Sequence, residues 1–151
     1  MIRTIVIDCD GVLTSGKQYI DHTGEKFFKA FHSKDIRAIR ELIAAGIDVV
    51  VMSADDWKGA VRWCDRVGCR FICTRDKLQA CLEQGLDPGE TLVVGDDAWD
   101  VQALKWAGYK YAPLNSSYCV SEIEGLRWIG AEGGHGVIAV LLLLLEAEGL
   151  L

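Results

Sequence analysis

Proline is nearly missing from this chain: Pro88 and Pro113 are the only two in 151 residues. Both fall between periodic segments, so neither interrupts a helix or a strand. Histidine is almost as scarce, with only His22, His32 and His135. None stands at zinc-ligand spacing from a cysteine. The six cysteines, Cys9, Cys64, Cys69, Cys73, Cys81 and Cys119, include no Cys-x-x-Cys pair. These gaps argue against a structural zinc cluster and for free, mostly buried thiols in a reducing cytoplasm. No block of lysine and arginine occurs and the formal net charge is -6, so no nucleic-acid partner is expected. The run "VIAVLLLLL" at 137–145 is nine residues long, whereas a membrane span needs about 20. No membrane partner is expected, and the run reads either as a buried helix or as an oligomer contact. The opening "MIRTIVIDCDG" lacks the plan of a signal peptide. Repeats, low-complexity tracts and linkers are also missing, so one domain over residues 1–151 is expected.

Hydrophobic residues make up 50% of the chain, enough for a substantial core. Short apolar runs recur: "TIVI" (4–7), "DVVVM" (48–52), "RFIC" (70–73), "TLVVG" (91–95) and "YKYA" (109–112). Near-continuous apolar runs of this length suit parallel strands buried on both faces. Helical stripes lie between them. Ile36, Ile39 and Ile43 precede Gly46; Trp57, Ala60, Val61, Cys64 and Val67 precede Gly68; Leu78, Cys81 and Leu82 precede Gly85. Ala98, Val101, Leu104 and Ala107 precede Gly108. The alternation predicts an α/β fold, a parallel sheet with helices on both faces. Residues 16–31 break the alternation and read as a β-hairpin turning at "DHTG", a flap or an oligomer contact.

In parallel sheets, ligands bind outside the carboxyl ends of the strands. Four strand ends carry polar residues here. Asp8 and Asp10 close the first, Ser53 the second and Asp96–Asp97 the fourth, while Lys77 opens the helix after the third. Two carboxylates one residue apart repel unless a cation lies between them. Hard carboxylate oxygens suit Mg2+, and a hydroxyl, a lysine and backbone N–H groups suit phosphoryl oxygens. The set predicts a magnesium site beside a phosphoryl-transfer site. Taken singly, Ser53 also reads as a helix cap, Asp100 as a first-turn acid that suits the helix dipole, and Lys77 as a solvated helix residue.

The stretches "DCDGVLTSG", "VVVMS", "DKL" and "VVGDDAWD", in that order, resemble the four motifs of the haloacid dehalogenase superfamily. With "GEKFFKAFHSKDIRAI" and the late "GGHG", the chain is similar to its capless branch. That branch includes phosphatases of octulosonate 8-phosphates and nonulosonate 9-phosphates, and a domain fused to some acylneuraminate cytidylyltransferases. The resemblance implies a Rossmann-like three-layer α/β/α fold with a hairpin flap and no cap. It implies hydrolysis of a small phosphorylated 2-keto-3-deoxy sugar acid through an aspartyl-phosphate. Asp8 would then be the nucleophile and Asp10 the proton shuttle. Asp8, the Asp10 carbonyl and Asp96 would hold Mg2+, and Ser53 and Lys77 the phosphoryl group. Asp97 and Asp100 would support the metal waters and Lys77. It further implies a homotetramer with packed hairpins. Other readings are a broad small-molecule phosphatase, an auxiliary oligomerisation domain, and a nucleotide-binding Asp-x-Asp site, the last leaving Ser53 and Lys77 unexplained.

For the substrate, Lys29, Lys34 and Asp35 match a charged stretch of the family, either lining a sugar pocket or serving as ordinary helix-start charges. His135 stands in the "GGHG" segment where relatives commonly carry arginine. Asp55 stands where they often have a positive residue.

Overall fold

The computed structural model describes all residues from Met1 to Leu151. Its centre is a six-stranded, wholly parallel sheet. The strands are β1 (Thr4–Asp8), β4 (Asp48–Ser53), β5 (Arg70–Cys73), β6 (Thr91–Val94), β7 (Tyr109–Pro113) and β8 (Arg127–Ile129), in the order β5-β4-β1-β6-β7-β8. Strands β2 (Tyr19–Ile20) and β3 (Lys26–Phe28) form a separate antiparallel hairpin. From β1 the chain builds outward through β4 to β5, then returns to the other side of β1 for β6, β7 and β8. That reversal leaves a crevice at the carboxyl ends of β1, β4 and β6.

The apolar runs feed two cores because successive strand residues face opposite sides. Ile5, Ile7, Val49, Val51, Leu92 and Val94 point into one core. Helices α1 (Ser33–Ala44), α2 (Lys58–Val67) and α6 (Val137–Ala147) cover it. Val6, Val50, Met52 and Val93 point into the other, under α3 (Lys77–Glu83), α4 (Val101–Trp106) and α5 (Tyr118–Ser121). The result is the three-layer α/β/α arrangement that the alternation of strands and helices predicts.

Three details depart from expectation. The strand β8 was not foreseen: it is three residues long, and Arg127 and Trp128 are exposed because it forms an edge. The fourth helical stripe splits, with a 3-10 turn at Ala98–Asp100 before α4. Ser53 caps no helix, since α2 starts at Lys58 with Trp57 before it. The run at 137–145 lies in helix α6, buried on one face: Val137, Ile138, Leu141, Leu142 and Leu145 face the core while Leu143 is exposed. No helix is long and apolar enough to cross a membrane.

Asp35 is wholly buried and does not line a sugar pocket. Its Oδ1 accepts from the N–H groups of Ile138 (2.9 Å) and Ala139 (3.0 Å), so it caps α6 from another helix. Burial raises its pKa, against the pull of those two N–H donors. Asp35→Ala is expected to cost about 2 kcal/mol in chemical denaturation, because two buried donors lose their acceptor. A folded pKa above the unfolded one means that the native state binds the proton more tightly. Wild-type advantage over Asp35→Ala is therefore greatest below the ordinary carboxylate pKa of about 4, and shrinks as pH rises to the elevated folded value. An advantage that grew with pH would contradict this.

Candidate active site

The carboxyl ends of β1, β4 and β6 and the start of α3 converge on a polar cleft of about 320 Å³. Asp8, Asp10, Ser53, Lys77, Asp96, Asp97 and Asp100 all line it. Parallel register explains the convergence. Asp8 pairs with Met52, so Ser53 stands one residue beyond it on the neighbouring strand. Val94 pairs with Ile7, and the chain turns after Gly95 to present Asp96. Gly11 has φ +97, and a Cβ there would overlap the Asp96 carboxylate. The β1 loop approaches β6 this closely only because residue 11 has no side chain.

Lys77 is buried and bonds both Asp8 Oδ1 and Asp100 Oδ1. Burial opposes its charge, but the two carboxylates outweigh burial and raise its pKa. Asp100 is held on both oxygens: Lys77 is on Oδ1, and Oδ2 takes the N–H groups of Asp96 (2.9 Å) and Asp97 (3.1 Å). Asp96 is the opposite case. Its Oδ1 is buried with no hydrogen-bond partner. Burial, with the nearby charges of Asp100 and Asp97, lifts its pKa to about 6. Burial likewise pushes Asp8 up, against the pull of Lys77.

One ligand oxygen each of Asp8, Asp96 and Asp100 lies within 4.8 Å of the others. Three carboxylates against one ammonium leave this buried cluster two negative charges in excess when all are ionised. A divalent cation fits that deficit, and the unpartnered Asp96 Oδ1 gives it a ligand. Asp100 already holds Lys77 and two N–H groups, so the less engaged donors are Asp96 and the Asp8 oxygen outside the lysine pair.

Asp97 lines the cleft but bonds elsewhere: its Oδ1 accepts from Ala98 N–H (2.7 Å) and the Ser117 hydroxyl (2.8 Å), tying the loop after β6 to the loop before α5. Lys29 reaches Asp10 Oδ2 at 2.7 Å and Asp55 Oδ2 at 2.9 Å. Lys34 is exposed on α1 and does not reach the cleft. His135 is outside it too, with Nδ1 3.0 Å from the carbonyl of Gly133. Within this chain none of Lys29, Lys34, Asp35 and His135 lines the cleft. The "GGHG" segment instead packs on the β1 loop: a Cβ on Gly133 would overlap the Gly11 carbonyl, and Gly134 N–H donates to Val12 O at 3.0 Å.

Sequence reading missed Gln18, Thr74 and Trp99, which also line the cleft. Thr74 and Trp99 sit on the carboxyl side of β5 and β6, where the strand-end rule could have found them. Gln18 precedes the hairpin and has no local signal. Asp55 was foreseen only as a change of charge. The structure pairs it with Lys26, which sequence reading did not single out, as well as Lys29; burial raises its pKa, but the two ammoniums bring it down to about 2.

A Rossmann-like sheet that brings acids, a lysine and a hydroxyl to one cleft defines an enzyme of the phosphatase type. The chain belongs to the haloacid dehalogenase-like hydrolases, whose family model matches residues 32–108. It is similar to 3-deoxy-D-manno-octulosonate 8-phosphate phosphatase KdsC of Haemophilus influenzae, with 29% identity over 98% of this chain and 85% of that protein. The cobalt-bound form of the deoxy-D-mannose-octulosonate 8-phosphate phosphatase from Haemophilus influenzae has a TM-score of 0.87 and 27% identity, covering 98% of this chain and 90% of that one. A hypothetical protein from Xanthomonas campestris has a TM-score of 0.86 and 32% identity, covering 98% and 84%.

Proposed function

We propose that this enzyme is a magnesium-dependent phosphomonoesterase working through an aspartyl-phosphate, with a phosphorylated 2-keto-3-deoxy sugar acid as substrate. The observation that carries the reading is the buried cluster of Asp8, Asp96, Asp100 and Lys77 at the cleft floor, beside Ser53. The substrate class rests on the named activity of the Haemophilus influenzae relatives. The cobalt held by one of them supports a divalent ion, and all-oxygen donors favour magnesium.

Asp8 attacks phosphorus in line. The Asp8–phosphorus bond forms as the bond to the sugar oxygen breaks, and Asp10, which enters this step protonated and leaves it as the carboxylate, gives that oxygen its proton. Water then attacks the aspartyl-phosphate, its proton goes to Asp10, and phosphate leaves with the Asp8 carboxylate restored. Ser53 and Lys77 hold the phosphoryl oxygens, and Asp100 holds Lys77. Asp8, the Asp10 carbonyl and Asp96 would hold magnesium, whose chemistry is to offset repulsion between carboxylate and phosphate. We further place the enzyme in the cytoplasm as a homotetramer. The exposed Tyr19, Ile20, Phe27 and Phe28 of the hairpin support packing between chains.

EDTA is expected to erase phosphate release and to lower the unfolding midpoint, with magnesium restoring both. Undiminished hydrolysis in chelator would exclude the metal. A panel of phosphorylated sugars and sugar acids, assayed for released phosphate, tests the substrate class. Comparable rates on unrelated phosphates would point to a broad phosphatase instead.

A further inference from the structure

Asp10 is held on both oxygens by side chains, one from its own loop and one from the residue after the hairpin. The Thr14 hydroxyl donates to Oδ1 across 3.1 Å, and Lys29 Nζ lies 2.7 Å from Oδ2. The Lys29 side chain is 3% exposed, so water hardly competes for its ammonium. Its second partner, Asp55 Oδ2 at 2.9 Å, also takes Lys26. Asp55 is fixed independently of the hairpin. Its Oδ1 accepts from Trp57 N–H at 3.1 Å, and its own N–H donates to Ser53 Oγ at 3.2 Å. The Trp57 ring, 5.8 Å from Lys29 Nζ, closes another side. The row Lys26, Asp55, Lys29, Asp10 alternates in charge and sums to zero. It clasps the hairpin and the residue after it to the loops that follow β1 and β4.

We propose that this clasp aims Asp10 at the leaving group, with Lys29 as a positioning residue, so that protonation of the leaving oxygen depends on the chain's own hairpin. The inference rests on the reading of Asp10 as proton shuttle. Lys29 is not among the residues lining the cleft, and it acts on the reaction only through its bond to Asp10. A general acid must reach its oxygen within roughly 2.6–3.2 Å. A carboxylate gripped on both oxygens keeps one rotamer; one held by Thr14 alone swings on the other. The clasp also gives Asp55 its place: this acid at the cleft mouth anchors the lysine that aligns Asp10.

The test compares kcat/KM on two similar esters, p-nitrophenyl phosphate and phenyl phosphate. The nitrophenolate departs without a proton; the phenolate, being more basic, needs one more. Lys29→Met is expected to lose about 100-fold on phenyl phosphate and about 5-fold on p-nitrophenyl phosphate. Lys29→Arg, which keeps the charge, is expected to recover most of the phenyl phosphate activity. Equal losses on the two esters would overturn the proposal. They would leave the aspartyl-phosphate reading intact, since that depends separately on Asp8→Asn. If Lys29→Met does not fold, Asp55→Asn carries the same comparison with almost no change in volume. A loss of about 10-fold confined to phenyl phosphate is then expected, and a change shared by both esters counts against the clasp.

Discussion

Asp8→Asn is expected to lower turnover of p-nitrophenyl phosphate by about 10⁴-fold or more, the scale seen when a covalent nucleophile is removed. The amide has nearly the shape of the carboxylate but cannot open the reaction by attacking phosphorus. The substitution separates chemistry from folding unusually well. Asp8 is buried beside Asp96 and Asp100, and burial raises its pKa. A group whose folded pKa is raised costs stability when ionised, so a neutral amide removes that cost at neutral pH. The unfolding midpoint in chelator should therefore be no lower than that of the wild type, while activity is gone. Wild-type-like turnover would sink the mechanism. Asp10→Asn should behave differently. Its loss of kcat/KM should fall mainly on esters with basic leaving groups, at about 10²–10⁴-fold, because the bond-making carboxylate is still present.

The strand ends were legible for a physical reason. A strand buried on both faces must be apolar along its length, so the first polar residue after it marks where the chain leaves the core. Asp8, Ser53 and Asp96 are such residues, and parallel pairing brings them to one edge. Helix ends were legible where glycine was needed: Gly68 follows α2 with φ +100. Other features depend on contacts between segments far apart in sequence. Asp35 looks like any first-turn acid of α1, yet it serves a helix that begins about 100 residues later. Lys26, Lys29 and Asp55 look like solvated charges until the hairpin folds over the loop after β4. The edge strand β8 has only three residues and one buried side chain, so no apolar run announces it. Distance in sequence, rather than lack of chemistry, separates what was read from what was missed.

Lys77→Met is expected to be the most destabilising single change at the site, by about 3–5 kcal/mol without magnesium. Removing one member of a buried ion pair leaves its partners charged and uncompensated. Here one ammonium serves both Asp8 and Asp100, with Asp96 beside them. Domains of this kind are stable by roughly 5–15 kcal/mol, so the loss is a large share of the total. The pH dependence has a definite sign. The folded pKa of Lys77 is raised, because its two carboxylates outweigh the opposing effect of burial. Its stabilisation is thus complete below the unfolded lysine value of about 10.4, and is lost only as pH rises through the folded pKa. The deficit of the variant should therefore not shrink as pH rises from 7 to 9. Magnesium should narrow it, since the ion now faces three carboxylates without a competing ammonium; binding at 100 times the Kd contributes about 2.7 kcal/mol. Activity should still fall about 10²–10³-fold with magnesium present, because the phosphoryl group has lost a fixed cation. A variant as stable as wild type in EDTA would show that the cluster does not need this lysine, and would remove the electrostatic basis for placing a metal beside it.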